Sequence, residues 1–240
     1  YEQSRRANLE ERVSALVQAA IVRVQITFQE AQSNTGVLTT VPVLQDLLRS
    51  PSPSPEARMR MEALFQSQLR EYQRFSGLAV YGLGGQLLAA VDRTESTLGD
   101  STLRRALAQA EQLQPRQIWV SSVQWPDKGL AELVMARPLF LPGGQRQGVL
   151  VATITLAPLA HDFNQITNTE SGVERGYLLS GEGRAINAVA GATAGMNFAA
   201  RHPQVWQSMQ RKAKGVVDTS NGLFVYLADP ILPPAKRGSG

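Results

Sequence analysis

The stretch that most constrains this chain runs from Gly129 to Leu156, GLAELVMARPLFLPGGQRQGVLVATITL. Two long apolar runs flank Leu141-Pro142-Gly143-Gly144-Gln145, a cluster that cannot continue a strand and supplies the φ > 0 positions a hairpin turn needs. The second run, Gly148 to Leu156, has Val, Ile or Thr at nearly every position, which suits a central strand covered on at least one face. Pro158 then stops the strand, and a helix-like segment, Leu159 to Ile166, leaves the sheet. A β-hairpin feeding a helix is the expected core, and the rest of the chain should assemble on it.

Taken in order, Leu9, Val13, Leu16, Val17, Ala20, Ile21, Val24 and Phe28 recur at helical spacing, with charges opposite. This long amphipathic helix should fade near Ser33-Asn34-Thr35-Gly36, with Gly36 as its C-cap. Its stripe is wider than a coiled-coil seam, so packing on its own domain explains it before a dimer seam does. Pro42 can open a short helix to Leu48. Ser50-Pro51-Ser52-Pro53-Ser54-Pro55 reads as an extended connector. Ser54 can then cap a second helix that has Pro55 in its first turn and runs to about Phe75.

Gly77 to Tyr81 and Gln86 to Val91 read as strands joined by Gly82-Leu83-Gly84-Gly85. These glycines lack the GxGxxG spacing, and a strand rather than a helix follows them, so a tight hairpin is expected and not a dinucleotide loop. Asp100 or Ser101 should cap a helix to about Leu113. Gln117 to Trp125 is the next strand, placing Trp119, Ser121, Val123 and Trp125 on one face. After Ile166 the order restarts on a smaller scale. Gly172 to Leu179 and Arg184 to Val189 are strands around the turn Ser180 to Gly183. A short helix near Pro203 to Met209 follows, with strands near Val216 and over Leu223 to Leu227. The chain therefore reads as two unequal modules of one kind.

The chain has 240 residues, 43% of them hydrophobic, enough for one large or two modest cores. Net charge is +4, but the basic residues are scattered, without the clustered stripe that nucleic-acid binding favours. Cysteine is absent, which removes disulfides, cysteine-based metal sites and a thiol nucleophile. No stretch reaches the roughly 18 apolar residues of a membrane span. With no initiator Met and a tail-like Lys236 to Gly240, the chain reads as a piece of something longer. His161 and His202 lie far apart without partners at metal-ligand spacing. GxSxG, Walker and HExxH patterns are missing, and Asp92, Glu95 and Asp100 form no convincing acid/base pair. No cofactor and no catalytic residue are expected.

Local patterns then supply a family. Ala79-Val80-Tyr81-Gly82-Leu83-Gly84-Gly85-Gln86-Leu87 through Val91-Asp92-Arg93 resembles the first hairpin of the double Cache (PDC-type, PAS-like) sensor domain. Trp119-Val120-Ser121 resembles that family's aromatic-apolar-Ser strand. Ala136-Arg137-Pro138-Leu139, Gly143-Gly144, Gly148-Val149-Leu150-Val151 and Leu156 resemble its central hairpin. Gly176-Tyr177-Leu178-Leu179 with Gly183, then Phe198, His202-Pro203 and Trp206, resembles the second module in sensor kinases. The fold class this implies is α+β: a long N-terminal helix followed by two PAS-like antiparallel-sheet modules in tandem. The expected domains are residues 1–50 as packing helices, 51–160 as the membrane-distal module, 161–235 as the smaller membrane-proximal module and 236–240 as a tail.

The resemblance implies the extracytoplasmic (periplasmic or extracellular) portion of an inner-membrane receptor. Its flanking membrane helices and cytoplasmic output domain, a histidine kinase, diguanylate cyclase or chemotaxis signaller, would lie outside this chain. The partners it implies are a small-molecule ligand in the first module and a second copy in a homodimer, with no nucleic acid. From the residues, Trp119, Ser121 and Trp125 share a face that Tyr81, Arg116, Asp127, Arg137 and Thr153 can approach, giving an apolar wall with a few polar groups. An inward Arg116 or Arg137 would favour a carboxylate. The position of Thr153 is often Asp or Asn in relatives; Thr keeps only a neutral hydroxyl, so an ammonium ligand loses its expected counter-charge, and the Arg-x-Trp-Tyr signature of amino-acid-binding relatives is not reproduced, which together argue against an amino acid. A periplasmic protein partner is the second reading. A hydrolase is the third, requiring a cleft that gathers His161 or His202 with carboxylates.

Overall fold

Helix α1 (Glu2–Leu38) runs past the point where its sequence suggests an end. The buried positions Ala20, Val24, Thr27, Phe28, Ala31, Thr35 and Leu38 continue at three- and four-residue steps straight through Ser33-Asn34. Gly36 is not a left-handed cap. It lies inside the helix, and the turn that ends α1 is made by Thr39 N–H on the Gly36 carbonyl and Thr40 N–H on that of Val37. Tertiary packing of Thr35 and Leu38 has overridden the local breaking signal. The computed structural model describes residues 2–92, 99–125, 131–167, 176–189 and 193–228.

The chain divides into two compact units, Gln29–Pro158 in one and Tyr1–Phe28 with Leu159–Pro233 in the other. In the first, α2 (Pro42–Leu48) and α3 (Pro55–Glu71) follow the last turns of α1. Ser54 caps α3 by accepting the Ala57 N–H at 3.1 Å, with Pro55 in the first turn. The helix stops at Glu71, short of Phe75, because Phe75 already belongs to β1 (Phe75–Gly82). β1, β2 (Leu87–Asp92), β3 (Trp119–Val120), β4 (Glu132–Phe140) and β5 (Arg146–Thr155) form one antiparallel sheet in the order β2-β1-β5-β4-β3. The central position of β5 agrees with its unbroken apolar run. Gly143 and Gly144 take φ of 110° and 84° in the β4–β5 turn. Of the strand expected over Gln117 to Trp125 only Trp119–Val120 forms, with an isolated bridge between Gln124 and Glu132.

Alternation splits this sheet cleanly. One face carries Leu78, Val80, Leu133, Met135, Leu139, Leu150, Ala152 and Ile154, and together with buried Leu44, Leu47, Met61 and Phe65 of α2 and α3 it supplies the main core. The other face is covered in part by α4 (Asp100–Ala110), whose Ala106 and Ala110 pack with Trp119, Val134, Ala136, Val149 and Val151. Gly99, not Asp100 or Ser101, is the N-cap of α4, without a side-chain bond.

In the second unit, α5 (Ala157–Thr167) takes Pro158 into its first turn. Asp162 on α5 pairs with Arg23 of α1 at 3.2 Å. Asn187, fully buried, accepts from Leu178 N–H and donates to Asn164 Oδ1 and the Gly176 carbonyl. α6 (Phe198–Arg201) and α7 (Pro203–Arg211) precede the hairpin of β6 (Lys214–Thr219) and β7 (Gly222–Leu227). Where two further strands are expected, the described residues contain the turn at Gly183 and isolated bridges such as Leu179 with Ala185. Residues 172–175 of that expectation lie outside the described residues.

Candidate functional site

Cross-strand register lines up residues on the α4 side of the sheet in rows. One row runs Ser121, Val134, Thr153, Gly77, Asp92. The next runs Trp119, Ala136, Val151, Ala79, Ala90, and a third holds Pro138, Val149, Tyr81 and Leu87. Val134, Ala136 and Val151 are closed off under α4, whereas Ala79, Ala90, Thr153 and Asp92 keep some exposure. Beside the part under α4 the face is floored by Gly77, Ala79 and Ala90, the smallest side chains available, with Gly77 buried and both alanines half-buried. A Cβ placed on Gly77 would stand 3.5 Å from the Asp92 carboxyl carbon and 3.7 Å from Thr153 Oγ1. A carboxylate and a hydroxyl thus lie either side of a position with no side chain.

The neighbouring groups are polar too. Ser121 Oγ accepts the Val134 N–H at 3.0 Å and donates to the Ser122 carbonyl. The β-bulge between Phe75 and Gly77 re-aims Ser76, which donates to buried Glu132 at 3.4 Å. Thr102, in the first turn of α4, donates to Gln124 at 3.0 Å, tying the covering helix to the segment after β3. At the other end of α4, Arg146 of β5 donates to the carbonyls of Glu111 and Leu113, a cation on helix C-terminal carbonyls. Tyr81 lies against the α4 cluster, and burial raises its pKa, so its phenol stays a donor.

Of the residues proposed from sequence, Tyr81, Trp119, Ser121 and Thr153 share this face. Trp119 is 4% exposed, and its indole nitrogen has no acceptor among the described residues. Arg137 does not reach the site. It is one residue out of phase, on the α1 side, where Nε donates to Thr35 Oγ1 at 2.8 Å and a terminal nitrogen donates to the Gln32 carbonyl. Burial lowers its pKa. Arg116 also misses the face: it is solvent-exposed in the loop after α4, at a left-handed φ of 71°. Trp125 is half-buried beyond the two-residue strand, out of the rows. Asp127 lies outside the described residues.

Sequence reasoning missed Asp92, Gly77, Gln124 and Glu132. The signal for Asp92 was available: pairing the two runs around Gly82-Leu83-Gly84-Gly85 places Asp92 opposite Gly77, in phase with Tyr81. Among the described residues neither histidine gathers carboxylates. His161 meets Gln165 at 3.1 Å, and the His202 ring sits among Phe198, Phe224 and Tyr177 with centroids 4.7, 5.0 and 6.2 Å away. A separate open cleft of about 330 Å³ is lined by Ala31, Asn34, Tyr72, Arg74 and Pro158 among others, away from the sheet face. Its Arg74 is already paired with Glu30.

Comparison with known proteins places this architecture. The family described as bacterial histidine kinase, sensor domain, matches residues 23–235. The chain belongs to that family. Similar folds recur among solved sensor domains. The extracellular domain assigned to histidine kinase vpHK1S-Z8 has a TM-score of 0.71 at 14% identity, covering 92% of this chain and 89% of that one. The ligand-binding domain of the Pseudomonas aeruginosa PAO1 chemoreceptor PctC, solved with GABA, gives 0.58 at 16% identity and 82% of each chain. That of the Pseudomonas fluorescens chemoreceptor CtaA, solved with L-leucine, gives 0.53 at 14% identity, covering 92% and 87%. No curated protein matches the sequence. As a sensor domain the chain serves signal transduction, its fold being the α+β, PDC-type Cache arrangement of these neighbours.

Proposed function

We propose that this sensor domain takes a small cationic ligand, an amine, on the α4 side of its five-stranded sheet. The observation that carries the reading is the Asp92 carboxylate and Thr153 hydroxyl either side of Gly77, on a face that Arg137 does not reach. An ammonium group there gains a charge-assisted bond to Asp92 and a second acceptor in Thr153. Gly77, Ala79 and Ala90 leave room for it, and Tyr81 lies farther along β1 on the same face.

In the whole receptor, residues 51–160 act as the membrane-distal binding module and 161–235 as the membrane-proximal relay. The chain is extracytoplasmic, and the membrane helices and the kinase, cyclase or chemotaxis output lie outside it. No helix among the described residues is long and apolar enough to cross a membrane. Two copies pair along α1, where Ala15, Ala19, Val22 and Ile26 are all exposed at a 4-3-4 spacing.

A thermal-shift panel of amines, amino acids, organic acids and sugars tests the ligand class. At about 100 times its dissociation constant a ligand stabilises by roughly 2.7 kcal/mol, a rise of about 5–10 °C for a chain this size. Amines should raise the midpoint, and Asp92→Asn or Gly77→Ala should abolish the rise while leaving the unliganded protein folded. A rise with organic acids that survives Asp92→Asn would refute the reading.

A further inference from the structure

β4 has the candidate ligand face on one side and α1 on the other. Val134 and Ala136 lie in the rows described above, and Arg137, the next residue, turns to the opposite side of the sheet. Its guanidinium is largely withdrawn from water and is held by α1 alone in the bonds the structure gives it: Thr35 Oγ1 at 2.8 Å and the Gln32 carbonyl. Thr35, 1% exposed, passes its own hydroxyl hydrogen back to the Ala31 and Gln32 carbonyls, both at 3.0 Å. The guanidinium also lies flat enough against the helix that a Cβ on Gly36 would stand 3.7 Å from Nη2. A planar, forked cation bonded at two points is stiffer than an apolar contact, and partial burial limits the water that could replace its partners. A shift or twist of β4 must therefore either drag the Gln32–Gly36 turn of α1 or break charged hydrogen bonds.

We infer that Arg137 is a positioning residue that couples occupancy of the sheet's ligand face to the last turns of α1. The inference rests on the ligand face proposed above, but not on the identity of the ligand. It gives Arg137 a transmitting role where the sequence suggested a binding one. Arg→Lys is not conservative here, because a single ammonium cannot span both acceptors in the same geometry.

The test is amide hydrogen exchange on the intact chain, comparing wild type, Arg137→Lys and Arg137→Met, each with and without Gly77→Leu. The leucine puts a side chain where a ligand would sit, so no ligand is needed. Loss of charged hydrogen bonds should speed exchange over residues 31–38 by about tenfold or more in Arg137→Met while β5 stays protected, with Arg137→Lys in between. Gly77→Leu should alter exchange in that same helical segment when Arg137 is present and leave it unmoved in Arg137→Met. Gly77 and Arg137 do not touch, so independent effects would simply add. Additivity across the cycle, or wild-type exchange in α1 of Arg137→Met, would overturn the inference. Should Gly77→Leu not fold, Gly77→Ala is read in the same cycle, since its methyl has 3.5 Å of clearance. A non-additive cycle without any amine binding would sink the ligand class alone. Amine binding with an additive cycle would sink the coupling alone.

Discussion

Gly36→Ala distinguishes the sequence-based picture of α1 from the observed one by the sign of a stability change. If the helix ended at Gly36 with that residue in the left-handed region, as the run Ser33-Asn34-Thr35-Gly36 suggests, a methyl there would be strained and the protein would lose about 1 kcal/mol or more. In the structure Gly36 is inside α1, which continues to Leu38, and its φ is not positive. Alanine in a helix interior is favoured over glycine by about 0.8–1.0 kcal/mol. The new methyl would meet Arg137 Nη2 at 3.7 Å and Cζ at 3.9 Å, ordinary contact distances that ask nothing to move. The expected result is a gain of about 0.5–1 kcal/mol, or a rise on the order of 1–4 °C in the thermal midpoint. Denaturant unfolding should shift its midpoint upward with an unchanged slope. A lower midpoint would mean either that α1 ends earlier or that the guanidinium crowds the position, and both would contradict the geometry given to Arg137.

Arg116, held at φ 71° without the freedom of glycine, stores backbone strain of about 1 kcal/mol, so Arg116→Gly should leave the protein as stable or up to about 1 kcal/mol more so by chemical denaturation. A loss above that scale would mean that the exposed guanidinium has a role here not recognised. His202 gives a pH dependence. Desolvation first, and Arg201 second, lower its pKa below the usual 6.5. The fold therefore favours the neutral ring: the contribution is fully present above the unfolded pKa and is lost as pH falls through about 6.5 towards the lowered folded value. Melting between pH 8 and 5 should show less destabilisation in His202→Phe than in wild type, and identical profiles would refute the assignment.

Most of the fold was legible because it depends on local signals that agree with one another. The Pro142–Gln145 turn, the Ser54-Pro55 start of α3 and the β-branched run of β5 each have one physical solution, and the sheet takes it. What was not legible depended on partners distant in sequence. Thr35, buried within α1 past its apparent end, accepts a bond from Arg137, about a hundred positions later. The segment after Val120 looks like a strand by alternation, yet Ser121 Oγ takes the Val134 N–H that a strand backbone would have taken.

The site shows the same division in sharper form. Composition and order identify the sheet and its aromatic wall, but the charge of the pocket is decided by phase, and phase changes with every residue. Ala136 faces the α4 side and Arg137 faces α1, so a one-residue difference in phase decides whether a guanidinium stands on the proposed ligand face. Asp92 could be placed only by pairing β1 with β2, because its own neighbours in sequence give no hint that it shares a row with Thr153 and Ser121. A strand that presents small and apolar residues to one side and a half-buried guanidinium to the other has its two faces joined by the backbone between adjacent residues. If Arg137 couples the two faces as inferred, the polar group on the far side is the one that a search for ligand contacts misassigns.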